Sequence, residues 1–322
     1  MFPQSRVRAL VALTLVLALS LSSLTLTAPG KSKKKQNPKG TPVLWREPSN
    51  IASRNLYLGP GGATMRPDLR RITFIEEERG GYSQKFRVRD ASGREWVAKI
   101  GKEAQSETAA VRLLWAIGYA TEINYLVPRV TISGRGTFDN VRFEARPKSI
   151  KRLDEWKWED NPFVGTRAFQ GLKVMMALLN NWDIKNSNNK ILFVHGGRRG
   201  NELQYIISDL GATFGKSGSL PIFWRITRSR NNPEDYANAS FLDEVRGNHV
   251  HFHYNGKRND LFDDITVSDA RWIGRLLAQL SNQQIRDAFR AANYSDDEIR
   301  LLTEAVRERI NELVNVSREA RR

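Results

Sequence analysis

Cysteine is absent from all 322 residues. That excludes disulfides, a thiolate metal site, a cysteine nucleophile and lipid attachment through sulfur. It leaves the redox compartment open, because an exported chain need carry no disulfide. Histidine is scarce too, with four residues, three of them at positions 249, 251 and 253. On a strand those three imidazoles share one face, where they could bind zinc or nickel or simply form a polar sheet surface. Acidic charge is short, with 35 Asp and Glu against 51 Lys and Arg, a net charge of +16. No aromatic-interleaved basic motif or helix-turn-helix signature accompanies that excess, so the pattern does not argue for nucleic acid. No internal repeat is visible.

One long apolar run is present. Arg6 and Arg8 precede an uncharged stretch of 18 residues from Ala9 to Leu26, followed by Thr27-Ala28-Pro29-Gly30. That is the layout of a secretory signal peptide. Pro29 disfavours cutting after Ala28, leaving Ser20 or Ser22 as cleavage positions; uncleaved, the run is just long enough to span a bilayer. Lys31, Lys33, Lys34, Lys35 and Lys39 follow at once, and beside an uncleaved anchor they would hold the C-terminal side in the cytoplasm. Residues 1–28 are therefore expected to be a signal peptide or anchor. The domain behind them is read as exported (periplasmic, extracellular or membrane-anchored), with a cytoplasm-facing anchor as the alternative. Residues 29–53, Lys-rich and then punctuated by Pro38, Pro42 and Pro48, read as a linker. Seven basic residues precede Thr41, and +9 remains over residues 41–322. Nucleotides, an anionic membrane surface or acidic glycans suit such a charge.

Polar residues in the middle of the chain say more. Asp183-Ile184-Lys185-Asn186-Ser187-Asn188 is followed by Asp209-Leu210-Gly211, each beside an apolar run. Phosphoryl transfer needs a carboxylate to orient or deprotonate the acceptor hydroxyl, and oxygen ligands to hold magnesium on the nucleotide phosphates. Upstream, Ile72–Ile75, Lys85–Arg89 and Trp96–Ile100 alternate as strands, separated by turns at Arg79–Ser83 and Asp90–Gly93. Gly80 and Gly81 would let the backbone approach phosphates, with Ser83 beside them. Lys99 shares a strand face with Val97, and an ammonium on an apolar face needs an anionic partner. Glu107 supplies one: the spacing predicts a helix over Glu103–Gly118 that places it on the stripe of Val111, Leu114 and Ile117.

Val97-Ala98-Lys99 resembles the protein-kinase strand motif Val-Ala-Ile-Lys with its third position missing. Asp183 to Asn188 resembles the catalytic-loop run Asp-Leu-Lys-x-x-Asn, and Asp209-Leu210-Gly211 resembles Asp-Phe-Gly. The likeness spans roughly residues 70–215. It implies Asp183 as catalytic base with Lys185 beside it, and Asn188 and Asp209 as magnesium ligands. Lys99 would be the phosphate lysine, Glu107 its orienting partner, and ATP and Mg2+ the cofactors. Asn181-Trp182 stands where His-Arg usually precedes the catalytic Asp, the glycine turn is incomplete, Glu107 follows Lys99 by only eight residues, and no Ala-Pro-Glu follows Asp209. These departures resemble the atypical members of the superfamily, such as HipA-like, phosphatidylinositol-kinase-like and secreted kinases. The implied acceptor is a hydroxyl on a protein, lipid headgroup, glycan or small molecule. A catalytically inactive nucleotide-binding or scaffold protein, and a nucleotidyl transferase, are the alternatives.

The remaining segments fit that resemblance. Leu126–Ile132 and Phe138–Ala145 read as strands, the second leading to a connector in which Phe143 to Arg146 would lie beside the adenine. Thr166–Asn180 reads as a helix buried nearly all round, delivering Asp183 just past its end. Ile191–Val194 and Tyr205–Ile207 form a hairpin ending at Asp209. Ser268 is read as the N-cap of a helix to Leu280, and Asp296-Asp297 open a last one to about Val316. The expected fold is α+β and two-lobed, protein-kinase-like, with a β-rich lobe over 54–147 and a mainly helical lobe over 148–322.

Overall fold

The computed structural model describes residues 38–80, 83–197, 200–218 and 227–317. The expected signal or anchor segment, residues 29–37 of the basic linker and Gly81 lie outside the described residues. From Pro38 the chain forms one compact unit. Its first strand, β1 (Thr41–Val43), pairs in parallel with the strand at Gly200–Ile207. Val43, Leu44, Ile51 and Leu56 are buried. Residues 41–53 thus hold a paired strand and buried side chains and are not a linker; Pro42 lies inside the strand, which a proline tolerates because it is at the sheet edge.

Five strands then close into a barrel: β2 (Ile72–Glu78), β3 (Lys85–Arg89), β4 (Glu95–Lys99), β5 (Asn124–Ser133) and β6 (Gly136–Ala145), in the order β2-β3-β4-β6-β5. A short parallel contact, Ile72 opposite Ile132, joins its ends. Alternation decides what fills it. Phe86, Val88, Trp96, Ala98, Val127, Val141 and Phe143 form one buried cluster. The odd positions of β4 face the other way, and the register sets Lys99 opposite Arg142 and Val97 opposite Glu144. Phe143 therefore belongs to the barrel interior, and Arg142 and Glu144 share the face of Lys99. The β3–β4 turn is held by Asp90, whose carboxylate accepts from the backbone N–H of Ser92 and Arg94 and from Trp96 Nε1. Such local bonding is why Asp opens turns.

Helix α1 (Glu103–Ala116) connects β4 to β5 and joins the second core, which is formed with the C-terminal helices. After β6, a three-residue strand β7 (Ile150–Arg152) pairs with β8 (Asn189–Gly197), and β9 (Gly200–Ile207) completes a sheet of order β1-β9-β8-β7. Helix α2 (Arg167–Leu178) is capped by the Thr166 hydroxyl, which accepts from Phe169 N–H, and it is buried over most of its length. Asn180, just beyond, adopts φ +53° and donates Nδ2 to the Gly215 carbonyl. Asparagine tolerates that left-handed turn, which releases the chain toward Asp183.

The remainder comprises α3 (Pro233–Ala237), the hairpin β10 (Leu242–Arg246) and β11 (His249–Phe252), and helices α4 (Val267–Leu277), α5 (Asn282–Arg290) and α6 (Asp296–Asn315). The N-cap of α4 is Thr266, not Ser268, because Asp269 three residues on completes a reciprocal capping box. Ser281 with Gln284 and Ser295 with Glu298 do the same for α5 and α6. His253 lies past the end of β11, with Nε2 3.3 Å from Asp243 Oδ1. Among the described residues, no three His, Asp or Glu side chains are grouped to hold a metal. Among the same residues, no helix is long and apolar enough to cross a membrane. The architecture is α+β, a β-rich first lobe followed by a mainly helical second one.

Candidate active site

Lys99, at the end of β4, meets α1 through two carboxylates. Its Nζ lies 2.9 Å from Glu107 Oε2 and 3.0 Å from Glu103 Oε2, and 3.6 Å from Asp209 Oδ1. The Lys99 side chain is 4 % exposed and that of Glu107 2 %. Burial alone would push the Lys99 ammonium down, but Glu107, Asp209 and Glu103 outweigh it and hold its pKa above the usual value. Glu107 behaves oppositely. Burial drives its carboxyl up, against the pull of Arg142 and Lys99.

The Asp209 segment is fastened to the same helix. Ser106 Oγ donates to the Gly211 carbonyl at 3.1 Å. A Cβ on Gly211 would sit 2.7 Å from Glu103 Cβ, so only glycine lets α1 approach this closely. Asp209 Oδ1 accepts from Gly211 N–H at 3.1 Å, and its side chain is 42 % exposed. Burial raises the Asp209 carboxyl, yet Lys99 and the Gly211 N–H more than offset this and hold it below the usual range.

The loop after α2 brings the rest. Asn188 Nδ2 donates to the Asp183 carbonyl at 2.8 Å, leaving Oδ1 as the side chain's remaining acceptor. The Asn188 carbonyl accepts from Ser208 and Asp209 N–H, at 2.7 and 3.2 Å, which locks the two polar segments together. Asp183 is held by two lysines, Lys185 Nζ at 2.9 Å and Lys257 Nζ on its other oxygen. Burial raises its carboxyl, but those bonds outweigh burial and keep it below the usual range.

Lys99, Glu107, Asp183, Lys185, Asn188 and Asp209 are thus brought together. Gly80 stands in the β2–β3 turn with φ +117°, a conformation that favours glycine. Ser83 Oγ is engaged with Glu103 Oε2 at 2.8 Å, so Ser83 supports the carboxylate beside Lys99. Trp182, next to Asp183, donates Nε1 to the Ser229 carbonyl at 2.8 Å and lies under the guanidinium carbons of Arg228 and Arg230, at 4.4 and 4.7 Å.

Sequence reasoning missed several partners. Glu103 could have been found, since it lies one helical turn before Glu107. Arg142 could not, because its place opposite Lys99 depends on the barrel register. It bridges Glu107 at 3.5 Å, Glu122 at 2.8 Å and Glu144 at 3.2 Å. Arg152 in turn reaches Glu122 and Glu144, and Arg146 reaches Glu144. The Glu122 carboxyl, though burial raises it, is pulled down to about 2 by Arg152, Arg142 and Arg146.

No family model matches the chain, and no curated protein matches it in sequence. Among solved structures it is similar to CtkA, a proinflammatory kinase of Helicobacter pylori, with 12% identity over 78% of this chain and 96% of that one, TM-score 0.46. It is also similar to the Rio2 kinase of Chaetomium thermophilum, solved as an ADP/Mg2+-phosphoaspartate complex, with 13% identity over 77% of this chain and 74% of that one, TM-score 0.30. Both likenesses are distant, and the site geometry stands apart from them.

Proposed function

We propose that the chain is an ATP- and Mg2+-dependent phosphotransferase that acts on a hydroxyl. The observation that carries this reading is that Asp209 reaches Lys99, the partner of Glu107, while its segment is hydrogen-bonded to the loop that carries Asp183 and Asn188. The donor types fit the cofactors. Asn188 Oδ1 and the Asp209 carboxylate are hard oxygens of the kind magnesium takes, and Lys99 is an ammonium held ready for phosphate oxygens. Bound nucleotide and metal would supply an activated phosphoryl group. Asp183 would orient the acceptor hydroxyl and take its proton as the new oxygen–phosphorus bond forms and the bond to the leaving diphosphate breaks. Lys185 and Lys257, by keeping Asp183 ionised, would leave it able to accept that proton. A nucleotide-binding scaffold without turnover is the second reading, favoured by the lysine held on each oxygen of Asp183.

Thermal melting with ATP, in the presence of Mg2+ or chelator, tests the reading. A ligand at about a hundred times its dissociation constant adds roughly 2.7 kcal/mol to the folded state. A Mg2+-dependent rise in Tm, lost in Asp209→Ala and kept in Asp183→Ala, is expected. Transfer of label from [γ-32P]ATP to an acceptor, abolished by Asp183→Ala, is the second half of the test. A nucleotide-dependent rise without transfer would favour the scaffold, and no rise with any nucleotide would remove both readings.

A further inference from the structure

A cavity of about 410 Å³ is lined by β1, the α1–β5 loop, the segment after β6 and the β7–β8–β9 sheet. Lys99, Asp183, Asn188 and Asp209 do not line it. Its volume falls in the range of small-molecule sites, which combine apolar walls with a few placed polar groups. Trp115, Ile123, Leu192 and Val194 supply apolar wall. The Arg54 guanidinium carbon lies 4.9 Å over the Trp115 ring, extending a flat cationic surface at one side.

Two features of the wall point to a ligand. First, the ion cluster that begins at Lys99 ends here, with guanidiniums in the cavity wall. At the Lys99 end, Lys99 and Arg230 face Glu103, Glu107 and Asp209. At the cavity end, Arg142, Arg146 and Arg152 meet Glu122 and Glu144, with Arg142 also reaching Glu107; the cavity wall itself carries four guanidiniums, Arg46 (paired with Glu202), Arg54, Arg146 and Arg152, against the three carboxylates Glu47, Glu122 and Glu144. The carboxylates fix Arg146 and Arg152 in place, so an incoming anion need not order them. Burial also depresses the Arg146 pKa, to about 10, ahead of the opposing pull of Glu122. Second, Thr121 Oγ1 in the same wall is buried and has no hydrogen-bond partner among the described residues. A buried hydroxyl left unpaired is costly. The connector's backbone offers less: Ala145 and Arg146 N–H already donate to Ile123 and Glu95 carbonyls.

We propose that this cavity is a second binding site, distinct from the Lys99–Asp209 site, for a small organic anion with a planar apolar body. Its acidic group would pair with Arg146 and Arg152, its ring would lie between Trp115 and the aliphatic wall, and Thr121 would bond a polar atom of the ring or acid.

Four probes sharing one ring isolate the charge: phenyl phosphate, benzoate, benzyl alcohol and benzamidine, each titrated into the full chain by calorimetry. Both anions should bind at least about tenfold more tightly than benzyl alcohol, the scale of one charge-assisted hydrogen bond, and benzamidine should not bind. Arg146→Gln should weaken phenyl phosphate by about the same factor. Val194→Trp, which fills the cavity from the sheet, should abolish binding of both anions and serves if Arg146→Gln folds poorly. Saturating Mg·ATP should leave the phenyl phosphate affinity unchanged. Equal binding of charged and neutral probes, no binding by either anion, binding that survives both substitutions, or competitive displacement by Mg·ATP would each overturn the proposal.

Discussion

Replacing Arg142 by methionine removes the guanidinium that joins the Lys99 end of the ion cluster to the Arg152 end. The residue is 2 % exposed, so its three carboxylates cannot turn to water for compensation. Glu122 and Glu144 retain Arg152, and Glu144 retains Arg146 as well. Glu107 is worse placed, since its other cation, Lys99, is shared with Glu103 and Asp209. Removing one member of a buried pair typically costs about 3–5 kcal/mol, because a desolvated charge is left behind. For a chain of this size that is a fall in Tm of roughly 6–20 °C. The loss should depend on pH with a definite sign. Glu107 already has a raised carboxyl pKa, from burial first, and Arg142 is the strongest influence opposing it. Without Arg142 the folded pKa climbs further above the unfolded value. A raised carboxyl favours the folded state below its unfolded pKa, and that contribution is lost as pH rises through the folded one. The destabilisation measured by urea unfolding should therefore be larger at pH 8 than at pH 5. Adding Glu107→Gln to Arg142→Met should recover at least about 1 kcal/mol at pH 8 by removing the stranded charge. A loss under about 1 kcal/mol, or one equal at both pH values, would mean that water reaches the cluster and that burial does not govern it.

Gly211→Ala should destabilise the fold by about 1–3 kcal/mol, the range for overpacking, because its Cβ would come within 2.7 Å of Glu103 Cβ. If α1 positions Lys99, the same variant should also weaken Mg·ATP binding, which fluorescence titration with a nucleotide analogue would check. Lys257→Met should raise the pKa of Asp183, whose carboxyl is held down by Lys257 and Lys185 against burial. If Asp183 is the base, the acid limb of the kcat–pH profile then moves to higher pH, and an unmoved limb would separate Asp183 from the titrating group.

The parts of the site legible in the sequence were those whose partners lie close along the chain. Asp183 and Asn188 are five residues apart, and Lys99 and Glu107 are eight apart across one strand-to-helix corner. There a single physical demand, an anion for an ammonium on an apolar strand face, narrows the choice to one helix stripe. Lys257 reaches Asp183 from 74 positions away, out of a loop with no pattern of its own. Arg142 looked like any charged residue in an alternating strand, because the face that the barrel buries on both sides is not encoded in period alone. Residues 41–53 misled for a different reason. Val43, Leu44 and Ile51 have neither helical nor strand spacing, and β1 exists only because β9 offers it a parallel edge. Likewise the three residues of β7 form a strand through pairing with β8, which no propensity for Ile-Lys-Arg would predict.

What the sequence conceals most is that these separate charges are one object. Lys99 is expected to meet phosphates, yet three carboxylates, Glu103, Glu107 and Asp209, already surround it. An isolated site so composed would be poorly suited to a nucleotide, because phosphates would be repelled by Glu103 and Asp209. A divalent cation held by Asp209 and Asn188 would offset that repulsion. On the proposed function, magnesium would then be required for electrostatic reasons of this chain's own, and nucleotide without metal should bind far more weakly than metal and nucleotide together. Glu103→Gln separates this argument from a generic need for metal. By removing one negative charge beside Lys99 it should narrow the gap between ATP affinities measured with and without Mg2+. A gap left unchanged by Glu103→Gln would show that the charge of Glu103 is screened and plays no part.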